Sequence, residues 1–167
     1  MDIALQPLSL SDFSFIAHLD LQPDDEAFAG GSMKNVFDAL RASRHPDAEH
    51  PFAIVAEDVP VGFLLLREQG TLPEWAPQGV VTLHMLRVGR AYQGRGYAKA
   101  ALTLAADWIA RYRPGVRRLM LTVNKRNDRA IALYLQCGFV DTGEVHQGRL
   151  GAQIVFSGDV LQLASAR

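Results

Sequence analysis

The residues best suited to do chemistry lie at Gln93-Gly94-Arg95-Gly96-Tyr97-Ala98. Two glycines there stand between an apolar, strand-like run (Val80–Val88) and a helical one that begins at Ala98. Glycine lets the main chain approach a ligand closely and take conformations closed to other residues. The first N–H groups of the following helix lack intrahelical partners and sit at the positive end of its dipole. Such a junction suits a diphosphate. A plain tight turn is the alternative the same residues allow.

Three phosphate-binding patterns compete for this loop. A P-loop ends in Gly-Lys-Ser/Thr, which Ala98-Lys99-Ala100 does not supply. A dinucleotide fingerprint needs a third glycine where Lys99 stands, and an acidic residue closing the next strand, which ends instead in Thr122-Val123-Asn124. The pattern Gln/Arg-x-x-Gly-x-Gly/Ala is met at every position by Gln93 to Ala98.

Other reactive side chains are sparse. Cys137 has no histidine near it in sequence and sits at an apolar helix end, as an inert buried thiol would. His18, His45, His50, His84 and His146 stand far apart without ligand spacing, so no metal is expected. With one cysteine, no intramolecular disulfide can form.

The elements that must hold the loop follow from periodicity. Ile3–Leu8 reads as an edge strand. Two short helices follow, one with Phe15, Ile16 and Leu19 on a face, the second capped by Ser32 and bearing Val36, Phe37 and Leu40. Arg44–Pro51 reads as loop. Phe52–Glu57 and Val61–Arg67 form a hairpin about Asp58-Val59-Pro60. Val80–Val88 is a third strand. Ala98, Ala101, Leu102, Ala105, Ile109 and Tyr112 define the clearest amphipathic helix, ended by Pro114-Gly115. Val116–Asn124 returns to strand, so the crossover demands parallel pairing with Val80–Val88. A last helix, capped by Asn127 or Asp128, stops at Cys137-Gly138, and Phe139–Val145 and Ala152–Leu163 close the chain as antiparallel strands. The expected fold is α/β: a single domain, residues 1–167, with a mixed, largely antiparallel sheet and a central parallel β-α-β crossover.

In this setting the sequence resembles the GNAT superfamily of N-acetyltransferases. The resemblance rests on Leu86-Arg87-Val88, the Gln93–Ala98 loop, Asn124–Asn127, Ala130–Tyr134 and Cys137-Gly138-Phe139, in that order. It covers Val80 to Phe139 well and the flanks by element order alone. It is loosely similar to small-amine and polyamine acetyltransferases.

The resemblance implies acetyl-CoA as cosubstrate. The pantetheine would bond backbone groups of the Leu86-Arg87-Val88 segment, through Leu86 and Val88. Main-chain N–H groups in Gly94-Arg95-Gly96-Tyr97-Ala98 would hold the pyrophosphate, and Arg95 would add a charge-assisted contact or simply stay solvated. Asn127 would contact the cofactor arm, cap the last helix, or do both. Tyr134 matches the family's general acid, protonating a thiolate whose reference pKa is about 8.5. The base is less defined. Many relatives carry a glutamate on the strand before the loop, and Val80–Leu86 has none. His84 is its titratable residue and by alternation shares a face with Leu86 and Val88; it is a candidate base or a satisfied core histidine.

A net charge of -1 gives no reason to expect nucleic acid or an anionic membrane. No apolar run is long enough to span a bilayer, the start lacks a signal-peptide pattern, and a cytoplasmic setting is expected. Asp24-Asp25-Glu26 reads as a solvated turn or a cation-attracting site, with Glu74 and Trp75 opposite. The expected partner is a small-molecule or peptide amine, and exposed C-terminal strands allow a homodimer. Direct transfer in a ternary complex is expected. A non-catalytic acyl-CoA-binding module and an acyltransferase with a larger donor are the alternatives.

Overall fold

The apolar runs between Glu49 and Val88 pair into three antiparallel strands, and everything else is laid against them. In the computed structural model, which describes residues 2–165, the strands are β1 (Ile3–Pro7), β2 (Glu49–Ala56), β3 (Val59–Arg67), β4 (Val81–Val88), β5 (Arg118–Asn124), β6 (Val140–Gly148) and β7 (Gly151–Asp159). The helices are α1 (Phe13–Ile16), α2 (Pro23–Phe28), α3 (Met33–Arg41), α4 (Tyr97–Tyr112), α5 (Asp128–Gln136) and α6 (Val160–Ala164). One sheet runs β1-β2-β3-β4-β5-β7-β6; β4 and β5 pair in parallel, every other neighbour antiparallel.

Each face of the sheet has its own core. On one face α4 buries Ala101, Leu102, Ala105 and Ile109 against Leu64, Leu66, Val81 and Leu83, with Tyr134 and Phe156 in the same cluster. Each fully buried leucine or isoleucine stabilises the fold by roughly 1.5–3 kcal/mol relative to exposure. On the other face Ile16, Val36, Phe37 and Leu40 of α1 and α3 pack on Phe63 and Leu65.

Several sequence expectations are corrected. The hairpin turns at Glu57 and Asp58, whose φ angles of 49° and 67° suit a two-residue turn matched to the strand twist. Glu49 to Pro51, read as loop, already pairs with Leu65 to Arg67. Asp24-Asp25-Glu26 is no open turn: it forms the first turn of α2 behind Pro23, where acidic side chains complement the helix dipole. The final strand stops at Asp159, whose carboxylate accepts from the Gln162 N–H and starts α6.

The correction that matters most lies in β4. Leu65 pairs with His84 and Phe63 with Arg87, so two residues of β4 oppose one of β3. Met85 takes the strain with a φ of 59°. This β-bulge breaks the period of two. Leu86 packs toward α4, while Met85 packs toward α1 and α3. His84, paired with Leu65 of the α1–α3 face, therefore does not share a face with Leu86 as alternation had suggested.

Candidate active site

The parallel pairing that joins the two halves of the sheet is short. Val81 pairs with Leu119 and Thr82 with Met120, and the recorded register ends there. Beyond it Leu83–Val88 and Leu121–Asn124 separate and line a cavity of about 1130 Å³. One open strand edge therefore offers main-chain donors and acceptors to an extended ligand.

The glycine loop closes one end of this cavity. Gly94 and Gly96 hold φ angles of 80° and 82°, a region costly for any residue with a Cβ. Gly96 is the N-cap of α4, and among the described residues no side chain caps that end. Among the described residues, the N–H groups of Gly94 through Lys99 find no protein acceptor. Six main-chain donors at a helix N-terminus thus face open space.

Most of the other expected site residues lie around it. Gln93, Gly94, Gly96, Tyr97, Ala98, Leu86, Arg87, Val88, Asn127, His84 and Tyr134 all line the cavity. Arg95 does not; it is exposed and reaches back to the Ala91 carbonyl. Gln93 donates from Nε2 to the Val88 carbonyl at 2.9 Å, bracing the loop onto the strand. Asn127 Oδ1 accepts from the Ala130 N–H at 3.2 Å, which makes it the α5 cap and leaves its Nδ2 free for a ligand. The Arg87 side chain is 3% exposed and turns away from the gap, donating to the Ala29 and Gly31 carbonyls at 2.5 and 2.7 Å. It fixes the α2–α3 connection.

Tyr134 is buried on α5, its ring edge-on to Phe139 at 5.6 Å and tilted on Phe156 at 6.3 Å. Its hydroxyl has no hydrogen-bond partner among the described residues. Burial, with a smaller push from Cys137, holds the phenol well above its usual ionisation range. It stays protonated at any physiological pH. Burial also raises Cys137, opposed by Lys99, so its thiol is a poor nucleophile at neutral pH.

His84 is half-buried, with Nε2 2.7 Å from Thr82 Oγ1. Burial, helped by the charge of Arg67, pushes its pKa down to about 3. The imidazole is neutral at pH 7, and a group that releases its proton so readily holds one poorly.

Sequence reasoning missed much of the far end of the cavity. Phe28, Asn35, Thr122, Asn124, Arg149, Leu150 and Gln153 line it, and so does Asp25, while Glu74 and Trp75 do not. Trp75 instead packs on Val80, Met120 and Val155. The sheet order brings the β6–β7 turn to the end of β5, where Asn124 Nδ2 donates to the Leu150 carbonyl at 2.9 Å. Among the described residues, no group of three or more metal-ligating side chains converges. Nor is any described helix long and apolar enough to cross a membrane.

A splayed parallel pair with a glycine loop at its mouth defines a class, and comparison with known proteins gives the same one. The sequence profile of the Acetyltransferase (GNAT) family matches residues 14–139, and the chain belongs to that family. An uncharacterized N-acetyltransferase of Bacillus subtilis, YbbJ, is 34% identical over 108 residues, covering 64% of this chain and 68% of the relative. Among solved structures, the aminoglycoside acetyltransferase AAC(6')-Ib with coenzyme A and kanamycin is similar at a TM-score of 0.76 and 14% identity, covering 99% of both chains. Spermidine N-acetyltransferase from Vibrio cholerae with CoA and spermine gives 0.74 at 20% identity, covering 96% of this chain and 97% of its own. At these identities the structural likeness establishes the shared fold.

Proposed function

We propose that the protein transfers an acetyl group from acetyl-CoA to a primary amine by direct attack in a ternary complex. The observation that carries this reading is the unsatisfied row of amides from Gly94 to Lys99 at the mouth of the β4–β5 gap. A pyrophosphate at those amides lets the pantetheine run between the strands, along Leu86 and Val88, with the thioester near Tyr134. The cavity is large enough for the donor arm and an acceptor together.

The amine nitrogen attacks the acetyl carbonyl carbon, and an oxyanion forms. The C–S bond then breaks, and the departing thiolate takes a proton from the Tyr134 hydroxyl, which is reprotonated from solvent. The amine's lost proton also leaves to solvent. A free amine ionises near 10.4, and His84 with a pKa of about 3 does not store its proton. Its part in this reading is that of a neutral hydrogen-bonding group that orients the amine and the water beside it.

Initial rates with both substrates varied test the order of events. Intersecting double-reciprocal lines, unchanged in Cys137→Ser, are expected. Parallel lines with an acetylated protein intermediate would reject direct transfer.

A further inference from the structure

The charges around the far end of the cavity bear on which amine enters, a question that rests on the acetyltransferase reading above. Asp25 is the one carboxylate among the described residues that line the cavity. Cations outnumber it. Arg149, in the β6–β7 turn, lines the cavity, is exposed, and has no hydrogen bond or ion pair among the described residues. Its neighbour Leu150 offers its carbonyl to Arg126 Nη2 at 2.8 Å. The Arg126 guanidinium also lies 5.9 Å over the Phe28 ring. One side chain thus spans from the end of α2 to the hairpin turn, and it too has no carboxylate partner among the described residues. Behind that wall Arg87 is buried on two carbonyls, lowered by desolvation to about 10 against the opposing charge of Glu26; it is still charged at pH 7, with Glu26 as its countercharge.

Arg149 without a carboxylate partner, and Asp25 as the one lining carboxylate among the described residues, make a poor receptor for a molecule with several ammonium groups. Like charges brought together in a partly desolvated cleft repel, and each unpaired ammonium loses hydration without return. The same arrangement matches a zwitterion. A guanidinium is a fork-shaped donor set suited to a carboxylate, and Asp25 offers a countercharge for an ammonium group. Lys99 and Arg129, in the N-terminal turns of α4 and α5, add two further cations to the lining.

We propose that the acceptor is an amine that also bears a carboxylate, of the amino-acid class, and that Arg149 receives the carboxylate. Polyamines and polycationic amino sugars are disfavoured. The chemical step is unchanged: the N–C bond forms at the amine, the C–S bond breaks, and the carboxylate takes no part.

The test measures thiol release from acetyl-CoA with matched pairs, lysine against pentane-1,5-diamine and phenylalanine against 2-phenylethylamine, with spermidine and kanamycin alongside. The carboxylate-bearing member of at least one pair should lead by about 10-fold in kcat/KM, the factor expected for one charge-assisted contact. Arg149→Gln should raise KM for that member and leave its decarboxylated partner and the acetyl-CoA KM unchanged. Arg149→Lys should restore part of the difference. Comparing ratios between variants removes the intrinsic reactivity of each amine. Preference for spermidine or kanamycin overturns this inference alone, as does an Arg149→Gln effect equal on both members of a pair. No thiol release with any amine, despite bound acetyl-CoA, removes the acetyltransferase reading and this inference with it.

Discussion

Replacing Tyr134 by phenylalanine separates a chemical role from a packing role with unusual clarity in this fold. The ring contacts with Phe139 and Phe156 survive the change, and the lost hydroxyl has no protein partner among the described residues to strand. Stability should therefore change by less than about 0.5 kcal/mol, within about 2 °C in Tm for a chain this size. Loss of a positioned general acid is different. Such a group contributes about 100-fold or more, so single-turnover thiol release should slow by about that factor, close to 2.7 kcal/mol in the barrier. Affinity for acetyl-CoA should hold. The pH profile offers a second reading. A phenol raised by burial loses its proton only as pH climbs past its elevated pKa, so wild-type turnover should show no tyrosine-dependent fall up to about pH 10. A single-turnover rate within about threefold of wild type, with acetyl-CoA binding intact, would refute the assignment.

Other outcomes follow from the same geometry. Gly96→Ala forces a Cβ into a φ of 82° at the α4 N-cap; the strain of roughly 1–2 kcal/mol should weaken acetyl-CoA binding measured by calorimetry, with the acceptor KM little changed. Arg87→Met leaves the Ala29 and Gly31 carbonyls without their buried donor. Thermal unfolding should show a loss of about 2 kcal/mol or more, with a raised acceptor KM from the loosened α2–α3 connection. His84 has a folded pKa of about 3, below its unfolded value near 6.5. The unfolded chain therefore binds the extra proton first, and stability falls as pH drops from about 6.5 toward 3. In His84→Gln the Tm should fall less steeply across that acid window than in wild type.

The crossover was legible because its signals are local. Gly94 and Gly96 interrupt two periodic runs, and Ala101, Leu102, Ala105 and Ile109 recur at helical spacing, so β4, α4, β5 and the loop between them could be read without a structure. What was missed depends on pairing over distance or on a single backbone angle. Alternation along Val80–Val88 carries no mark of the bulge, since Met85 at φ 59° is set by its register against β3 rather than by its own residue type. The six residues of α2 are too few and too polar to show an apolar stripe, and Asp24-Asp25-Glu26 looks like solvent-facing chain until Pro23 is seen to start a helix. Arg149 and Leu150 belong to no motif of their own. They reach the site because β7 inserts between β5 and β6, a topological fact with no trace in the hairpin's own residues. The glycine-loop end of the cavity was therefore visible in advance, and most of its far end was not.

The Gly94–Lys99 amides and the β4–β5 gap are proposed to hold acetyl-CoA for transfer to an amine. Thiol release from acetyl-CoA across a panel of primary amines, with the acetylated product identified by mass, tests it most directly. Amine-dependent release at a one-to-one ratio with N-acetylated product is expected, abolished or strongly slowed in Tyr134→Phe. Tight acetyl-CoA binding with no amine-dependent release and no acetylated product, across the whole panel, would contradict it.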